Sequence, residues 1–378
     1  MIEPFWEPQE RIDGDLPPSG HVDRLRAALE RATAARLPAG APVAVTLSGG
    51  VDSSLVTALA AKLHTHPVHT YSISFGDELP NELAYSGLVA THCGTVHRVL
   101  RVDGAQVAGR LADTVALLDN PVGDPLTVPN LMLAEAVAAD GMTVALNGEG
   151  GDPVFGGPKN LPMLMFELHR DDPAPAARAD AYLRSYRKCG EDLPRLLTPE
   201  ARAALAGAPS LRRLVQPYLD GPMSAQLNRL LHLNLRTKGA HHILPKVERL
   251  TAARGVQARA PLFAPEVVDV AFAVPPRLKL ADGQEKVVLK QAVADLLPDT
   301  IVVRPKSGMR VPVQQWLRGP LRDLAHDALL SRPAADRGLL RRDVVAGWLA
   351  GRGSVHARHG AKTWLVLTLE LWLRAHVD

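Results

Sequence analysis

The stretch Val43-Ala44-Val45-Thr46-Leu47-Ser48-Gly49-Gly50-Val51-Asp52-Ser53-Ser54 decides the fold of this 378-residue chain. Its apolar, β-branched start predicts a buried parallel strand, whose two faces are both covered by helices. Gly49 and Gly50 lack Cβ atoms and allow a tight turn with close approach of a ligand to the backbone. Asp52 and the two serines open an amphipathic helix over residues 55–63, whose free N–H groups and dipole favour an anion. Together these features predict a phosphate-binding loop, although the spacing of a Walker loop is absent.

The composition is that of a globular protein long enough for two packed domains. Hydrophobic residues make up 46% of the chain and charged residues 22%, so a substantial core is expected. The net charge of +3 argues only weakly for a nucleic acid or a membrane as partner. Cys93 and Cys189 offer neither a metal cluster nor a disulfide framework, which favours a reducing cytoplasm. No signal peptide is evident, and no apolar run approaches the roughly 18 residues that span a membrane.

Strands and helices alternate along the first half of the chain. Beyond the first strand, the pattern predicts strands at residues 68–75, 95–100 and 143–146, and helices at residues 23–37, 82–92, 104–118 and 128–138. This alternation predicts a doubly wound parallel α/β sheet, in which ligands bind at the carboxyl ends of the strands. From about Gly157 the strand pattern ends, and the remainder is predicted to be helical. We therefore expect an N-terminal segment at 1–20, an α/β core at 21–157 and a mostly helical, substrate-binding part at 158–378.

A second glycine-rich loop follows the strand at 143–146 and reads NGEGGDPVFGG over residues 147–157. Five glycines in these eleven residues lose much backbone entropy on ordering, so such a loop usually brings its backbone close to a ligand. Asp152 is expected to face Asp52 across the strand ends, where both carboxylates bind Mg²⁺ together with triphosphate oxygens and waters. A surface loop and an ordinary helix cap are the plainer interpretations. Two such loops at strand ends nevertheless favour one shared ligand.

Several motifs in the same order resemble known proteins. SGGVDSS resembles the pyrophosphate loop of the N-type ATP pyrophosphatases, which cleave ATP between the α and β phosphates to adenylate an acceptor. The whole set is similar to the synthetase domain of asparagine synthetase and its relatives β-lactam synthetase and lasso-peptide cyclase, from about residue 20 to the end. Beside the first loop, it consists of NGEGGDPVFGGP (family SGEGxDExFGGY), RPKSGM at 304–309 (family RxKxGF), PKVERL at 245–250, QARAPL at 257–262 and the helix at 364–374. This resemblance implies a five-stranded sheet, an ATP-dependent carbon–nitrogen ligase, and ATP and Mg²⁺ as cofactors.

The resemblance also implies a role for individual residues. Lys306 would contact the α-phosphate and stabilise charge in the transition state, which agrees with the dependence of nucleotidyl transfer on positioned cations. Glu149 would help to form or hold the acyl-adenylate, and Asp52 and Asp152 would bind Mg²⁺. The nucleotide would contact two sets of residues: Leu47, Ile73 and Gly148 near adenine and ribose, and Ser48, Gly49, Gly50, Asp52, Ser53 and Ser54 around the pyrophosphate.

The chain departs from the family pattern at several positions near the acceptor pocket, which argues against ordinary asparagine formation. Pro153 replaces the usual glutamate, Ala264 replaces an aspartate, and Pro158-Lys159-Asn160 replaces the aromatic residue after the second loop. Lys159 fits either a cationic contact for an anionic substrate or a solvated helix lysine. Residue 2 is Ile, whereas the family's N-terminal glutaminase domain begins with a nucleophilic cysteine. We therefore expect the amine to be free ammonia, a separate amine, an internal amine or the product of a separate amidotransferase.

The predicted function is adenylation of a small-molecule or peptide carboxylate and its coupling to an amine, in natural-product or peptide biosynthesis. A tRNA- or nucleobase-modifying ATP pyrophosphatase is one alternative, but it predicts a basic RNA-binding face or a zinc or thiol module, and neither is evident. A catalytically inactive family member that acts as a binding partner is another, against which Asp52, Asp152, Glu149 and Lys306 argue. No nucleic-acid or membrane partner is expected. A homo-oligomer remains open.

Replacement of Lys306 tests its assignment to the reaction rather than to the fold. Lys306→Ala is expected to lower turnover by about a hundred- to a thousand-fold, the scale of one lost electrostatic donor in a transition state. Lys306→Arg restores turnover only in part, because a planar guanidinium cannot reproduce a compact charge. Steady-state rates, melting temperature and ATP affinity are measured together. Loss of stability along with activity, or near-full turnover, contradicts the assignment.

Overall fold

The computed structural model describes residues 5–76, 82–158, 160–169, 174–186, 189–305, 309–352 and 359–378. Lys159 and Lys306 therefore lie outside the described residues, and their assignments stay predictions. Among the residues described, no helix combines the length and the apolar character needed to cross a membrane.

A five-stranded, all-parallel sheet forms the centre of the fold, as the sequence predicts. Its strands are β1 (Val43–Thr46), β2 (Val68–Ser74), β3 (Val96–Arg101), β4 (Val144–Leu146) and β5 (Gln257–Arg259). The spatial order is β3-β2-β1-β4-β5. Ala44 of β1 lies beside His69 of β2 on one side and Ala145 of β4 on the other. The chain thus changes direction across the sheet between β1 and β4, which is where open α/β sheets bind ligands.

The expectation that strands end near Gly157 was wrong, because β5 comes from the later part of the chain. Its three residues pair in parallel with β4, with Val144 beside Gln257 and Leu146 beside Arg259. A three-residue strand with polar residues at both ends carries no apolar alternation that could reveal it. The sheet therefore draws a strand from outside residues 21–157.

Helices cover both faces of the sheet and form most of the later part of the chain. The α-helices up to the second loop are α1 (Pro18–Ala34), α2 (Val51–Leu63), α3 (Leu83–His92), α4 (Gly104–Ala116), α5 (Thr127–Ala139) and α6 (Gly151–Phe155). Those that follow are α7 (Asn160–His169), α8 (Pro175–Tyr186), α9 (Leu193–Leu196), α10 (Pro199–Ala206), α11 (Arg212–Leu219), α12 (Gln226–Asn234), α13 (Leu244–Ala252), α14 (Pro265–Ala273), α15 (Val287–Ala292), α16 (Asp299–Val303), α17 (Val313–Arg318), α18 (Arg322–Leu329), α19 (Arg332–Asp336), α20 (Arg342–Leu349) and α21 (His359–His376). A π-helix spans Leu235–Ile243, and short 3₁₀ helices span Pro261–Phe263, Pro276–Leu278 and Ala294–Leu296.

Two of the predicted helices begin earlier than the sequence analysis placed them. Helix α1 starts at Pro18. Proline suits the first turn of a helix, because backbone N–H groups there have no acceptor within the helix and the lack of one costs no hydrogen bond. Helix α2 starts at Val51 and is not amphipathic, since every residue from Val51 to Ala60 is buried. The polar side chains of its first turn are enclosed by the loops at the strand ends, and its other faces pack on the sheet, α1 and α3.

The core lies in two layers, one on each face of the sheet. Val43 and Val45 belong to one hydrophobic cluster, together with α1, α2 and α14, while Ala44 between them belongs to the other, with α4, α5 and α21. Alternate side chains of a strand point to opposite faces, so both faces of β1 are buried. This arrangement confirms the buried parallel strand that the apolar run predicts.

A short β-hairpin has a buried lysine at each end, Lys279 before its first strand and Lys286 after its second. Its antiparallel strands are β6 (Leu280–Ala281) and β7 (Gln284–Glu285), and the turn residues Asp282 and Gly283 both have positive φ, at 51° and 74°. Such a turn matches the twist of the strands that it joins. Lys279 anchors the base of the hairpin: it is fully buried and donates to Asn228 Oδ1 at 2.7 Å. Burial lowers the pKa of the Lys279 ammonium to about 7.

Candidate active site

The loop after β1 is held by hydrogen bonds between its two ends. Ser53 Oγ accepts a bond from the Ser48 N–H at 3.1 Å, lies 3.1 Å from Ser48 Oγ, and donates to the Gly50 carbonyl at 3.2 Å. Gly49 adopts a φ of +81°, in the left-handed region that glycine enters without strain. The backbone N–H groups at the start of α2 therefore face the carboxyl edge of the sheet, where an anion would meet them.

The loop after β4 packs directly against this first loop, as the sequence predicts. A Cβ atom on Gly148 would lie only 2.5 Å from the Ser53 nitrogen, and one on Gly151 only 2.1 Å from Asp52 Oδ1. Larger residues at either position would push the loops apart. The glycines are therefore required for close contact between the two backbones.

Asp52 and Asp152 are brought together by Lys286. The Lys286 ammonium lies 2.6 Å from Asp52 Oδ2 and 2.6 Å from Asp152 Oδ1, and its side chain is fully buried. The sequence analysis placed the two aspartates opposite each other but did not identify this lysine. The sequence around Lys286 indicates this role only weakly, because the Asp-Gly turn before it predicts a hairpin but not the direction of that hairpin in the fold.

The site carries more negative charge than Lys286 neutralises. Lys238, on the π-helix, is a second cation near the pair, with its ammonium 3.9 Å from Asp152 Oδ2 and its side chain 36% exposed. Glu149 lines the same cavity as the two aspartates, and so does Glu82, whose charge is compensated by an ion pair with Arg304. A polyanion such as ATP would be repelled by these carboxylates unless a further cation accompanied it.

The residues present fit Mg²⁺ as that cation. Two carboxylates at one edge supply hard oxygen ligands, and Mg²⁺ usually takes one or two carboxylates and completes its shell with phosphate oxygens and waters. Among the described residues, no group of three or more His, Cys, Asp or Glu side chains could hold a metal ion. The site therefore suits a metal that arrives with a phosphate group better than one held by protein ligands alone.

A cavity of about 260 Å³ opens at the carboxyl ends of the strands. The predicted residues in its lining are Leu47, Ser48, Asp52, Ser53, Ile73, Gly148, Glu149 and Asp152. Three other predicted residues, Gly49, Gly50 and Ser54, do not contribute to that lining, and Ser54 is fully buried. Ser54 thus lies beneath the loop surface, whereas its neighbour Ser53 reaches the cavity.

The wall predicted to contact adenine and ribose is fixed by a hydrogen bond between strands. Ser72 donates from its hydroxyl to the Leu47 carbonyl at 2.5 Å, which ties the end of β1 to β2. Leu47 and Ile73 are both buried apolar side chains at this wall. Together with Gly148, they form a largely apolar part of the cavity lining.

The positions that depart from the family pattern differ in their surroundings. Pro153 lines the cavity, whereas Ala264 is buried at the start of α14 and is not among the cavity-lining residues that the structure describes. Asn160 is 2% exposed and its Oδ1 accepts from the Gly157 N–H at 2.8 Å, so it supports the second loop. Of these three, Pro153 is the one in a position to touch a substrate.

Comparison with known proteins identifies the family of the chain. A family model for asparagine synthase matches residues 24–374. Glutamine-hydrolyzing asparagine synthetase 1 of Bacillus subtilis is 23% identical over 94% of this chain and 60% of its own length. A putative glutamine-hydrolyzing asparagine synthetase of Mycobacterium bovis is 28% identical over 94% of this chain and 58% of its own. Carboxyethyl-arginine β-lactam-synthase of Streptomyces clavuligerus is 27% identical over 78% of this chain and 45% of its own.

The sheet order and the two strand-end loops define an α/β protein of the ATP pyrophosphatase kind. The chain belongs to the asparagine synthase family. It spans between 45% and 60% of the length of the three relatives named above.

Replacement of Lys286 tests whether the site can take a divalent cation without nucleotide. In Lys286→Met the two aspartates lose their shared ammonium, and breaking such a buried pair costs about 3–5 kcal/mol of unfolding free energy. We expect millimolar Mg²⁺ to restore part of that stability, and to do so more for the variant than for the unaltered protein. Chemical denaturation with and without MgCl₂, at matched ionic strength, measures the difference.

Lys238→Met is the matched control, because it removes a cation that is more exposed and farther from Asp152. It should neither cost comparable stability nor gain a response to Mg²⁺. An equal Mg²⁺ response in all three proteins would contradict binding of a divalent cation between the aspartates in the absence of nucleotide.

Proposed function

We propose that this protein is an ATP-dependent carbon–nitrogen ligase, which adenylates a substrate carboxylate and transfers the acyl group to an amine. The observation that carries the proposal is the contact of Asp52 and Asp152, from two strand-end loops, with one buried lysine beside a cavity. Membership of the asparagine synthase family and the synthetase names of the relatives support the same chemistry.

In this proposal ATP lies across the two loops. Its adenine and ribose occupy the wall formed by Leu47, Ile73 and Gly148. Its pyrophosphate meets the first turn of α2, where serine hydroxyls and backbone N–H groups favour an anion. Ser48 and Ser53 are the hydroxyls that line the cavity, so we assign them the direct contacts and give the buried Ser54 a supporting role.

Asp52 and Asp152 would hold Mg²⁺ beside the phosphates. A magnesium ion in that position neutralises charge on the leaving pyrophosphate. Lys286 keeps the two carboxylates close together and compensates part of their charge. The two carboxylates would thus be positioned for the metal, and their mutual repulsion would be weaker than that of two aspartates without a shared cation.

The reaction balances in two displacements. A carboxylate oxygen of the substrate attacks the α-phosphorus, and the bond between that phosphorus and the oxygen bridging to the β-phosphate breaks, which releases pyrophosphate. The amine nitrogen then attacks the acyl carbon, AMP leaves with the carboxylate oxygen, and the amine loses a proton. We assign Lys306 to the charge on the α-phosphate and Glu149, at the cavity wall, to the acyl-adenylate.

The acid is proposed to be a small molecule or peptide of natural-product or peptide biosynthesis. Pro153 lines the cavity without a charge or a side-chain acceptor, so its side chain cannot pair with an ammonium group of the substrate. One relative is named as a β-lactam-synthase, which shows that family members are not confined to asparagine formation. A separate amidotransferase or a second copy of the chain is compatible with this proposal.

Product analysis tests the proposal directly. Incubation with Mg²⁺, ATP and a panel of amino-acid and peptide carboxylates is expected to yield AMP and pyrophosphate, detected by phosphorus NMR. Asp52→Asn and Asp152→Asn should each weaken binding of the metal–nucleotide complex, since each removes a formal charge beside the metal. Formation of ADP and orthophosphate would contradict the assignment. Binding of ATP without turnover of any acid would favour the inactive binding partner instead.

A further inference from the structure

The peptide between Gly49 and Gly50 is held from outside the phosphate loop by Arg304. Arg304 Nη1 donates to the Gly49 carbonyl at 3.3 Å, and the guanidinium stacks over the Tyr85 ring, with Cζ 3.8 Å from its centroid. Arg304 also forms an ion pair with Glu82. The side chains of Arg304 and Glu82 are only 11% and 15% exposed, so these contacts hold the guanidinium in a largely buried position.

The orientation of this peptide decides what the loop offers to a ligand. In a trans peptide the carbonyl and the following N–H point in opposite directions. The Gly49 carbonyl points to Arg304, and the Gly50 N–H points back into the loop, 3.4 Å from Ser48 Oγ. Gly50 itself does not line the cavity, but Ser48 does, so the Gly50 N–H lies directly behind a cavity-lining hydroxyl to which it donates.

Two adjacent glycines leave this peptide free to rotate unless something restrains it. Gly49 is itself required, because a Cβ there would lie 2.7 Å from both the Ser86 nitrogen and Tyr85 Cβ. Gly50 has a φ of −78°. A half-turn of the peptide would move that angle to roughly +102°, which glycine tolerates and other residues do not. The rotated peptide would present a carbonyl oxygen to the phosphate and repel it.

Arg304 does not act by reaching the ligand. Glu82 lines the cavity, while Arg304 is not among the lining residues that the structure describes. Its charge is also compensated by the Glu82 carboxylate. An effect of Arg304 on nucleotide binding must therefore pass through the groups that it touches, which are the Gly49 carbonyl, the Tyr85 ring and the Glu82 carboxylate. Of these, only the Gly49 carbonyl route depends on rotation of the Gly49–Gly50 peptide.

We propose that Arg304 is a positioning residue that locks the Gly49–Gly50 peptide, so that the Gly50 N–H and not the Gly49 carbonyl faces the pyrophosphate of ATP. The inference rests on the proposed function, because it presumes that this loop binds a nucleotide. It assigns the residue a task distinct from that of Lys306, two positions later. It also explains how the helical part of the chain controls a loop of the α/β sheet.

Calorimetric binding of three probes separates this role from a structural one. In Arg304→Met the dissociation constants of Mg²⁺–pyrophosphate and Mg²⁺–ATP are expected to rise about ten- to a hundred-fold, the equivalent of one charged hydrogen bond. Adenosine, which contacts only the apolar wall, should bind within about two-fold of the unaltered protein. Arg304→Lys should recover part of the affinity, because it restores a donor without the stacking. Val303→Ala, at an exposed neighbouring position, is the control and should change nothing.

A second substitution tests the peptide rotation itself. Gly50→Ala fits the observed conformation, since its Cβ would meet only Ser48 Oγ, at an ordinary 3.5 Å, but it disfavours the rotated one. The penalty of Arg304→Met for pyrophosphate should therefore be several-fold smaller in the Gly50→Ala background than in the unaltered background. This comparison holds even if Gly50→Ala alone weakens binding.

The outcomes are distinguishable from a failure of the proposed function. If the unaltered protein binds neither Mg²⁺–ATP nor pyrophosphate, the proposed function fails. If it binds both and Arg304→Met leaves them unchanged, weakens adenosine equally, or carries the same penalty with Gly50→Ala, the role of Arg304 is overturned. Should Arg304→Met not fold, the same comparisons are made with Arg304→Lys.

Discussion

Two carboxylates held within reach of one buried ammonium form the interaction on which the site depends. Asp52 and Asp152 belong to loops after neighbouring strands, and parallel strands place those loops at the same edge of the sheet. Two carboxylates that contact the same ammonium lie close enough to repel each other strongly in a partly buried site. Lys286 offsets the repulsion, and the hairpin that carries it is fixed at its base by the buried Lys279.

Glycine has two opposite consequences in this site. Gly148 and Gly151 permit the contact of the two loops, because a Cβ atom at either position would collide with the first turn of α2. Gly49 and Gly50 permit the turn after β1, but they also leave a peptide that can rotate. The later part of the chain then supplies the restraint, through Arg304 on the Gly49 carbonyl. In the proposed role, a glycine-rich loop and a fixed donor from another element together make a defined anion site.

The sequence predicted the parts of the fold that depend on local pattern. The apolar run at Val43 and the glycine turn predicted the parallel strand and its loop, and the second glycine-rich loop predicted that Asp152 lies opposite Asp52. β5 was missed because three residues carry no periodic signal, and Lys286 was missed because its partners lie more than a hundred residues away. Contacts between distant segments depend on topology, which a single sequence does not display. The roles of Lys306 and Glu149 still rest on the resemblance to the family.

The measurement that tests the central claim most directly is a crystal structure with Mn²⁺ and a non-hydrolysable ATP analogue. Manganese replaces magnesium with similar oxygen ligands and gives an anomalous signal that fixes its position. The account predicts a metal peak at roughly 2.0–2.2 Å from a carboxylate oxygen of both Asp52 and Asp152, with phosphate oxygens completing the shell. A nucleotide bound away from these loops, or a metal that contacts neither aspartate, would contradict it.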